Sequence, residues 1–578
     1  MNGNFLQQHG KKLAALATAA LLLASQVAYS EAILEGQRMH PVQGKEGMVV
    51  TSHFLATQSA QEVLKNGGNA IDAAVTAAFS LAVTQPRSGN IGGGGFMLIS
   101  SEEKDTVVSI DYREKAPAKA TVDMFLDKEG NADSNVSRYS HLATGVPGTV
   151  AGLAMALEQY GTISLKEAIA PAIKLAQDGF IVTPRFSDGL KKKEKLLKRW
   201  PSSKKIFYKA DGSYYEPGDL FVQKDLAATL SRIAEHGIKE FYQGKTAELL
   251  VAEMAKHGGL ISMEDMKNYA PVFRAPVHGT YRGYHIYSMS PPSSGGTHVV
   301  QILNILEGYP ISEYGHNSAQ TIHLMAEAMK LAYADRSQYL GDGDFVNVPL
   351  KVLTSKKYAA SLREKINPTK ATASATIAPG KILPYESNET THFSIVDKFG
   401  NAVSNTYTIN FSYGSGIVVE GAGFLLNNEM DDFSAKPGVP NAYGLLGGEA
   451  NKIEPNKRML SSMSPTIVKK EGKNFLVTGS PGGSRIITTT LQVIMNVIDH
   501  GLNIQSSVAA SRIHHQWLPD QLRVEEGLSP DTVKILGEMG HTVIKKPAMG
   551  AIQSIMVKDG MMYGGADPRR STGLAAGL

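Results

Sequence analysis

The sequence predicts a mixed α+β fold in which two antiparallel sheets pack together and helices cover their outer faces. Residues 140–380 are largely helical by pattern, whereas strand and hairpin patterns dominate beyond residue 390. The helical segments are apolar and rich in alanine, so each has a face that must be buried against another layer. Hairpins combined with such helices indicate a layered architecture.

The first predicted elements are two helices, at Ser59–Leu64 and Ala70–Val83, separated by an Asn-Gly-Gly helix stop. A strand pair follows at Phe96–Ser100 and Thr106–Tyr112, joined by a charged turn. The run Gly92–Gly95 precedes these strands, and we expect it to allow close backbone packing. Neither Lys-Ser/Thr nor a helix follows it, so it lacks the features of a phosphate-binding loop.

In the central part of the chain, Leu165–Gln177 and Ser318–Ala334 are predicted helices. The segment Ile366–Tyr385 is rich in Ala, Thr, Lys and Pro and is the best linker candidate. Because it comes just before Thr390, we expect the peptide bond that precedes this threonine to lie on an accessible segment.

Three later segments share one pattern, an apolar strand that runs into a charged turn ending in glycine, which is typical of a β-hairpin. A buried helix is predicted at Arg485–Ile498, directly after a Gly-Gly pair. The three hairpin segments are Ser394–Gly400, Thr466–Gly472 and Ile555–Gly560.

The 578-residue chain is 42% hydrophobic and 19% charged, an ordinary globular composition that can bury a large core. Its net charge of +4 gives no indication of a nucleic-acid partner. The absence of cysteine excludes disulfides, thiolate catalysis and cysteine-ligated zinc. His514-His515 does not indicate a metal site, because adjacent histidines on one element point apart and no suitably spaced carboxylate accompanies them.

Residues 1–30 have the three parts of a signal peptide. Lys11-Lys12 provide the positive region, Leu13–Ala24 the apolar run and Ala28-Tyr29-Ser30 a small-x-small cleavage site. The apolar run is shorter than the roughly 20 residues that a spanning helix needs, and no later stretch reaches that length. We expect a mature protein that starts near Glu31, without a membrane span, in the periplasm, with secretion as an alternative destination. An uncleaved N-terminal anchor is the alternative to signal cleavage.

Thr390 begins a strand pattern within ETTHFSIVDKFGNAVSNTYTIN, residues 389–410. A threonine hydroxyl alone is a poor nucleophile at neutral pH. If the bond between Glu389 and Thr390 is cut, the new α-amine has a pKa near ~7.7–8 and can accept the hydroxyl proton. The residue would then carry both nucleophile and base, as in N-terminal threonine catalysis.

Six motifs follow one another along nearly the whole mature chain: Gly92–Gly95, Asp111–Glu114, the Thr390–Asn410 segment, NNEMDDF at Asn427–Phe433, LSSMSP at Leu460–Pro465 and GSPGGS at Gly479–Ser484. In this order they resemble the motifs of the γ-glutamyltranspeptidases. The resemblance implies the four-layer αββα sandwich of N-terminal-nucleophile hydrolases. It also implies that one precursor yields a heterodimer, with a large subunit of residues 31–389 and a small catalytic subunit of residues 390–578.

The resemblance makes Thr390 the nucleophile, both in turnover and in cutting the bond after Glu389. Thr408 lies on the neighbouring strand of the predicted hairpin, and the family pattern assigns its hydroxyl a hydrogen bond to Thr390. Thr391 would point to the opposite face of the strand. A shift of the nucleophile by one residue is the alternative.

The resemblance further implies an oxyanion hole and a lid. The backbone N–H groups of Gly482 and Gly483, ahead of a predicted helix, would stabilise the oxyanion. Pro437–Gly448 is rich in proline and glycine and has a suitable length for a lid. Tyr443 in this segment fits the family aromatic that hydrogen-bonds the position of Asn410.

A γ-glutamyl donor carries an α-carboxylate and an α-ammonium, both remote from the scissile amide. A guanidinium and hydroxyls suit the carboxylate, and acceptors suit the ammonium. Glu429 departs from the glutamine of many bacterial relatives, and its negative charge leaves the ammonium affinity and pH profile open. The matching positions are Arg113, Ser461 and Ser462 for the carboxylate, and Asn410, Glu429 and Asp432 for the ammonium.

The expected function is that of a self-processing γ-glutamyltransferase that needs no cofactor. It would cleave the γ-glutamyl amide of glutathione through an ester on Thr390, and pass the group to water, an amino acid or a dipeptide. A glutaryl-type (cephalosporin) acylase is the alternative among enzymes. An uncleaved periplasmic protein that binds glutamate or glutathione is the alternative from another class.

Overall fold

Two antiparallel sheets of seven strands each form the centre of the protein. The computed structural model describes residues 40–377, 390–436 and 448–578. The described strands are β1 (Val42–Gly44), β2 (Gly47–Thr51), β3 (Gly94–Ser101), β4 (Thr106–Asp111), β5 (Phe180–Ile181), β6 (Leu220–Phe221), β7 (Val272–Arg274), β8 (Val277–Tyr281), β9 (Tyr284–Ser288), β10 (Thr391–Asp397), β11 (Ala402–Thr408), β12 (Thr466–Lys470), β13 (Lys473–Thr478), β14 (Ile513–His514), β15 (Leu522–Glu525), β16 (Val543–Lys546), β17 (Gln553–Lys558), β18 (Met561–Ala566) and β19 (Leu574–Gly577).

Sheet 1 has the strand order β1-β18-β17-β13-β12-β9-β8, and sheet 2 has the order β19-β2-β10-β11-β3-β4-β7. Neighbouring strands in both sheets pair antiparallel. Two smaller sheets, β14-β15-β16 and β5-β6, lie apart from them. Each large sheet therefore combines strands that come before Thr390 in the chain with strands that come after it.

Helices occupy both outer faces of the sheet pair. The described α-helices are α1 (Phe54–Lys65), α2 (Ala70–Thr84), α3 (Ser134–Tyr139), α4 (Thr149–Tyr160), α5 (Leu165–Asp178), α6 (Pro184–Lys192), α7 (Glu194–Leu197), α8 (Pro201–Phe207), α9 (Lys224–His236), α10 (Ile238–Gln243), α11 (Lys245–His257), α12 (Met263–Lys267), α13 (Gly295–Leu306), α14 (Ile311–Tyr314), α15 (Ala319–Tyr339), α16 (Leu350–Leu353), α17 (Lys356–Arg363), α18 (Arg485–Ile498), α19 (Ile504–Ala509) and α20 (Pro530–Glu538).

The apolar layer between the two sheets follows from the period-2 alternation of strand side chains. In β2, Met48 and Val50 face this layer, whereas Val49 between them packs against helices. Sheet 1 contributes Ile467 and Ile555 to the same layer. The sheets are thus joined face to face through fully buried side chains.

Two further apolar clusters lie outside the sheets. One joins the outer face of sheet 2 to α1, α2, α4 and α5, and the other joins the outer face of sheet 1 to α13, α15 and α18. Helix, sheet, sheet and helix therefore succeed one another, which confirms the predicted four-layer αββα sandwich.

The predicted elements are largely confirmed. The two early helices occur as α1 and α2, the early strand pair as β3 and β4, and the three hairpins as β10–β11, β12–β13 and β17–β18. The predicted buried helix is α18, with the predicted bounds. In the glycine run, a Cβ on Gly93 would lie 2.1 Å from the Thr408 carbonyl oxygen, so the backbones pack closely there as expected.

One expectation is incomplete, because the largely helical region before residue 380 also contains strands β7, β8 and β9. These strands are short, and β8 and β9 form the edge of sheet 1, where polar side chains are tolerated on one face. Their hairpin turns at Arg282-Gly283, both at positive φ. None of the helices in the described part of the chain has the length and hydropathy to span a membrane.

The inter-sheet layer predicts a large stability effect at Ile555. Its side chain has no exposure to solvent, so Ile555→Ala removes buried apolar contacts and leaves a cavity. We expect a loss of about 2–5 kcal/mol in the free energy of unfolding, seen as a lower urea midpoint. Ile535→Ala is the matched control, since Ile535 is 45% exposed. Equal midpoints for the two variants would contradict the assignment.

Candidate active site

Thr390 lies immediately before β10, which is inserted between β2 and β11 in sheet 2. The β10–β11 register pairs Thr391 with Tyr407 and His392 with Thr406. Continuing this register by one residue brings Thr390 beside Thr408, the last residue of β11. Both threonines are buried, at 5% and 3% exposure, so the hairpin holds two hydroxyls at its open end.

The side chain of Thr391 lies away from this pair. Its Oγ1 is 2.7 Å from Ser52 Oγ and accepts a hydrogen bond from Gln85 Nε2 at 3.1 Å. Successive strand residues point to opposite faces, so the two neighbouring threonines occupy different environments. The geometry therefore distinguishes Thr390 from Thr391 as the residue that faces the pocket.

A pocket opens beside Thr390, and it brings together every predicted site residue of the described chain except Gly482, the neighbour of Gly483. Glu389, Tyr443 and nearly all of the predicted lid lie outside the described residues. The pocket is lined by Arg113, Arg336, Thr390, Thr408, Asn410, Glu429, Asp432, Leu460, Ser461, Ser462, Met463, Gly483, Ser484 and Ile486.

The turn into α18 depends on two glycines. Gly482 has φ 138° and Gly483 has φ 59°, a backbone conformation that residues with a Cβ adopt only at a cost. Helix α18 begins two residues later at Arg485, so the pair lies at the positive end of a helix dipole. This arrangement suits a backbone that must approach a developing negative charge.

The end of β11 turns sharply at Asn410, which has φ 71°. Its backbone N–H donates to Thr408 Oγ1 at 2.7 Å, and its Nδ2 donates to the Asn428 carbonyl at 2.9 Å. Asn427 fixes the next turn, because its Oδ1 accepts from the backbone N–H of Glu429 at 3.1 Å. These bonds orient the 3₁₀ turn Glu429–Asp432 towards the pocket.

Arg113 is almost fully buried and forms the main ion pairs of the pocket. Its Nη1 lies 2.6 Å from Glu429 Oε2, and its Nη2 lies 2.5 Å from Asp432 Oδ2. A third carboxylate, that of Glu114, approaches Nη1 at 3.5 Å. Burial alone would lower the pKa of Arg113, but the three carboxylates together raise it. The guanidinium is therefore permanently charged and electrically compensated by acidic neighbours.

Burial raises the pKa values of the carboxyl groups around Arg113. Burial, followed by repulsion from Glu114 and Asp432, raises the pKa of Glu429 well above its ordinary range, although Arg113 opposes the shift. Burial likewise raises the pKa of Glu114 to about 8 and raises the pKa of Asp432. More carboxylates crowd this region than Arg113 alone can neutralise, so the site favours a further cation.

Three buried acceptor atoms of the pocket have no hydrogen-bond partner among the described residues. They are Asn410 Oδ1, Glu429 Oε1 and Asp432 Oδ1. Buried acceptors without partners are costly, which indicates that a ligand supplies the donors. A compact cation with several N–H donors, such as an ammonium group, fits this set.

The pocket lining also includes Ser461 and Ser462, which follow Leu460 in a loop. Ser461 Oγ accepts from the Met463 N–H at 3.1 Å, and Ser462 Oγ accepts from Arg336 Nη2 at 3.1 Å. Each hydroxyl is thereby an acceptor within the protein and keeps its own proton for donation. Paired hydroxyl donors beside two guanidinium groups suit an anionic ligand.

The family model for Gamma-glutamyltranspeptidase matches residues 56–577 of the chain. The chain belongs to this family. It is 57% identical over 546 residues to the glutathione hydrolase proenzyme of Escherichia coli (strain K12), with 94% of each chain covered. Helicobacter pylori γ-glutamyltranspeptidase shares 51% identity at a TM-score of 0.56, covering 57% of this chain and 94% of that one. Cephalosporin acylase from Bacillus halodurans superposes with a TM-score of 0.82 at 29% identity, covering 93% and 97%.

Arg336 lines the pocket of this γ-glutamyltranspeptidase-family chain but was not predicted from the sequence. It lies on α15, where Met329, Ala332, Tyr333 and Arg336 follow the spacing i, i+3, i+4 and i+7, and all four are buried. An arginine at a core-facing position of such a stripe is unusual. That break in the apolar pattern is the signal that could have identified it.

The adjacent histidines His514 and His515 are held in hydrogen-bond networks. His514 lies between Thr488 and Gln516, while His515 contacts Asp520 and accepts from the Trp517 N–H. Burial lowers the pKa of His514 and the pKa of His515.

One group with metal-like spacing, His323, Glu327 and His541, is likewise occupied by protein contacts. His323 is bonded to His541 and to the Asn367 carbonyl, and Lys330 Nζ lies 2.8 Å from Glu327. The adjacent lysine opposes a bound cation, and the pocket itself presents no histidine among its lining residues.

The raised pKa of Glu429 gives a pH-dependence test. Because burial raises the pKa of Glu429 well above its ordinary range, the glutamate most closely resembles a neutral glutamine at low pH, and Glu429→Gln should change the donor KM least there. As pH rises, wild-type Glu429 gains the charge that attracts an ammonium, whereas glutamine does not. The ratio of variant to wild-type KM for a γ-glutamyl anilide should therefore increase as the pH is raised.

Taking this ratio cancels the ionisation of the donor, which both enzymes share. Glu420→Gln, at a surface glutamate remote from the pocket lining, is the control and should give a ratio near unity throughout. A constant ratio for Glu429→Gln over the whole pH range would show that Glu429 does not titrate in the way its burial requires.

Proposed function

We propose that this protein is a self-processing γ-glutamyltransferase that acts on glutathione and related γ-glutamyl amides. Family membership and 57% identity to the glutathione hydrolase proenzyme of Escherichia coli support this activity. The observation that carries the proposal is one pocket that holds the Thr390 hydroxyl, unpaired acceptors and buried guanidinium groups together. Such a pocket matches the reactive and the zwitterionic ends of a γ-glutamyl donor.

In the proposed complex, the donor α-ammonium meets Asn410, Glu429 and Asp432. Its α-carboxylate lies against Arg113 and the hydroxyls of Ser461 and Ser462. The side chain of the donor then extends towards the β10–β11 hairpin, which brings the γ-carbonyl to the Thr390 hydroxyl. Holding both ends of the donor supplies the orientation that an intramolecular-like attack needs.

Acylation begins when Thr390 Oγ1 attacks the γ-carbonyl carbon and its proton passes to the free α-amine of the same residue. The tetrahedral oxyanion is stabilised by the backbone N–H groups of Gly482 and Gly483. The C–N bond then breaks, the protonated α-amine returns a proton to the leaving amine, and a γ-glutamyl ester remains on Thr390. A hydrogen bond from Thr408 orients the attacking oxygen.

Deacylation repeats this chemistry with a new nucleophile. Water attacks the ester and releases glutamate, or the amine of an amino acid or dipeptide attacks and forms a new γ-glutamyl amide. In both cases Thr390 recovers its hydroxyl proton through its own α-amine. The α-amine therefore acts as base and acid in turn, and the cycle needs no metal or organic cofactor.

The α-amine first has to be made, and we propose that Thr390 Oγ1 also attacks the carbonyl of Glu389. An N→O acyl shift gives an ester, and water hydrolyses it into subunits of residues 31–389 and 390–578. The interleaved strand order supports a stable heterodimer, because β10 is hydrogen-bonded to β2 from the large subunit and to β11 from the small one. Export to the periplasm through residues 1–30 belongs to the same proposal.

The Bacillus halodurans cephalosporin acylase shares the fold, so acyl-group preference has to be argued from the pocket. A glutaryl group has no α-ammonium and would leave Asn410 Oδ1, Glu429 Oε1 and Asp432 Oδ1 unpaired. The three acceptors therefore favour a γ-glutamyl donor.

Intact-mass measurement of the denatured mature protein tests the processing step. Wild type should give two chains that break between Glu389 and Thr390, whereas Thr390→Ala should give one chain, because the attacking oxygen is absent. Thr391→Ala is the matched control and should still be cut, since its hydroxyl is bonded to Ser52 and Gln85. An uncut wild type without turnover would instead favour the glutamate-binding protein.

Donor discrimination tests the substrate class. With γ-glutamyl and glutaryl anilides, kcat/KM for the glutaryl donor should be lower by at least about 100-fold, because a pocket built for hydrogen-bond donors rejects an analogue that lacks them. Comparable kcat/KM values for the two donors would overturn the γ-glutamyl assignment and favour an acylase.

A further inference from the structure

Arg336 is a second guanidinium at the pocket, and it is supplied by helix α15. It lies in the last turn of α15, it is 5% exposed, and it lines the pocket together with Ser462 and Asp432. The catalytic cycle described above makes no use of it. A buried charge in that position requires an explanation.

The hydrogen bonds of Arg336 go to hydroxyls. Its Nε donates to Ser294 Oγ at 2.8 Å, and its Nη2 donates to Ser462 Oγ at 3.1 Å. Within the described ranges, no carboxylate oxygen lies within salt-bridge distance of this guanidinium. Burial lowers the pKa of Arg336 to about 10, against the opposing influence of Tyr333 and Asp432, so the group stays protonated at neutral pH.

The two arginines of the pocket are therefore both positively charged but differ in their partners. Arg113 is paired with Glu429 and Asp432 and approached by Glu114, so its charge is already compensated. Arg336 is charged and buried without a comparable partner. A buried, uncompensated cation is costly, which indicates that a ligand anion completes the site.

We propose that Arg336 is the positioning residue for the α-carboxylate of the γ-glutamyl donor, and that it acts through Ser462. This inference rests on the proposed function. By donating to Ser462 Oγ, Arg336 occupies a lone pair of that oxygen and leaves the hydroxyl proton to point at the carboxylate. Its uncompensated charge strengthens the same hydrogen bond and balances the anion.

This assignment divides two roles between the arginines: one holds the acidic side chains that bind the ammonium, and the other attracts the carboxylate. Arg113 holds Glu429 and Asp432 in place for the donor ammonium, and its net attraction for an anion is reduced by them. Arg336 supplies the positive charge that they do not cancel. The zwitterionic donor is then matched by a negative region around Glu429 and a positive region around Ser462.

The test is the affinity of the processed enzyme for three small ligands, each measured as a competitive inhibitor of γ-glutamyl anilide turnover. Glutamate carries both charged groups, 4-aminobutyrate lacks the α-carboxylate, and glutarate lacks the ammonium. Arg336→Gln should weaken glutamate and glutarate by about 10- to 100-fold and change 4-aminobutyrate by less than about threefold. The donor KM should rise with a much smaller change in kcat.

Arg336→Lys keeps the charge and should recover part of the lost affinity. The matched control is Arg363→Gln, in which a half-buried arginine that donates to the Asn304 and Ile305 carbonyls is removed from outside the pocket lining. It should leave all three inhibition constants unchanged. Because Arg336 acts through Ser462, the Arg336→Gln effect should be smaller in a Ser462→Ala background than in wild type.

Equal weakening of glutamate and 4-aminobutyrate in both Arg336 variants would indicate general damage to the site and overturn the proposal. Unchanged glutamate affinity in Arg336→Gln would do the same. Intact mass verifies that each variant is cut before Thr390. Absence of γ-glutamyl anilide turnover in the wild type would instead refute the proposed function, so the two failures are distinguishable.

Discussion

The antiparallel pairing of β10 with β11 determines where the proposed nucleophile lies. It sets Thr390 beside Thr408 at the open end of a hairpin, while β2 on the other side and the inter-sheet layer prevent the strand from shifting. A slip of one residue would exchange the environments of Thr390 and Thr391 and move every side chain of the strand to the other face. Burial on both faces excludes that slip, so the register itself selects the residue that we propose as the nucleophile.

The second constraint is electrostatic. Three carboxylates surround Arg113, which is more negative charge than one cation can neutralise. Arg336 lines the same pocket and donates its hydrogen bonds to the hydroxyls of Ser294 and Ser462. In both regions, desolvated charged groups have an unfavourable free energy until a ligand binds. The fold therefore preorganises desolvated groups for a zwitterionic ligand, and little rearrangement is needed when the ligand binds.

Much of this arrangement could be predicted from the sequence. Strand alternation, glycine-ended turns and apolar helices were sufficient for the layered fold, and the ordered motifs identified the residues that line the pocket. The short strands β8, at the edge of sheet 1, and β9 beside it were not predicted, because their partly exposed residues lack a continuous apolar pattern. Arg336 was not predicted for a different reason. Its partners Ser294 and Ser462 are remote in sequence, and only the packing of α15 against the loop that carries Ser462 brings them together.

Because both large sheets combine strands from before and after Thr390, assembly of the precursor differs from assembly of the separate subunits. Before the proposed cut at Thr390, all strands belong to one chain, and each finds its neighbours at the high effective concentration of an intramolecular reaction. Afterwards the same sheets join two separate polypeptides. Unfolding the mature protein would therefore separate two chains that no longer share a covalent link. Refolding would require the two chains to associate, so its yield would depend on protein concentration. The native heterodimer persists because of the route by which it was made.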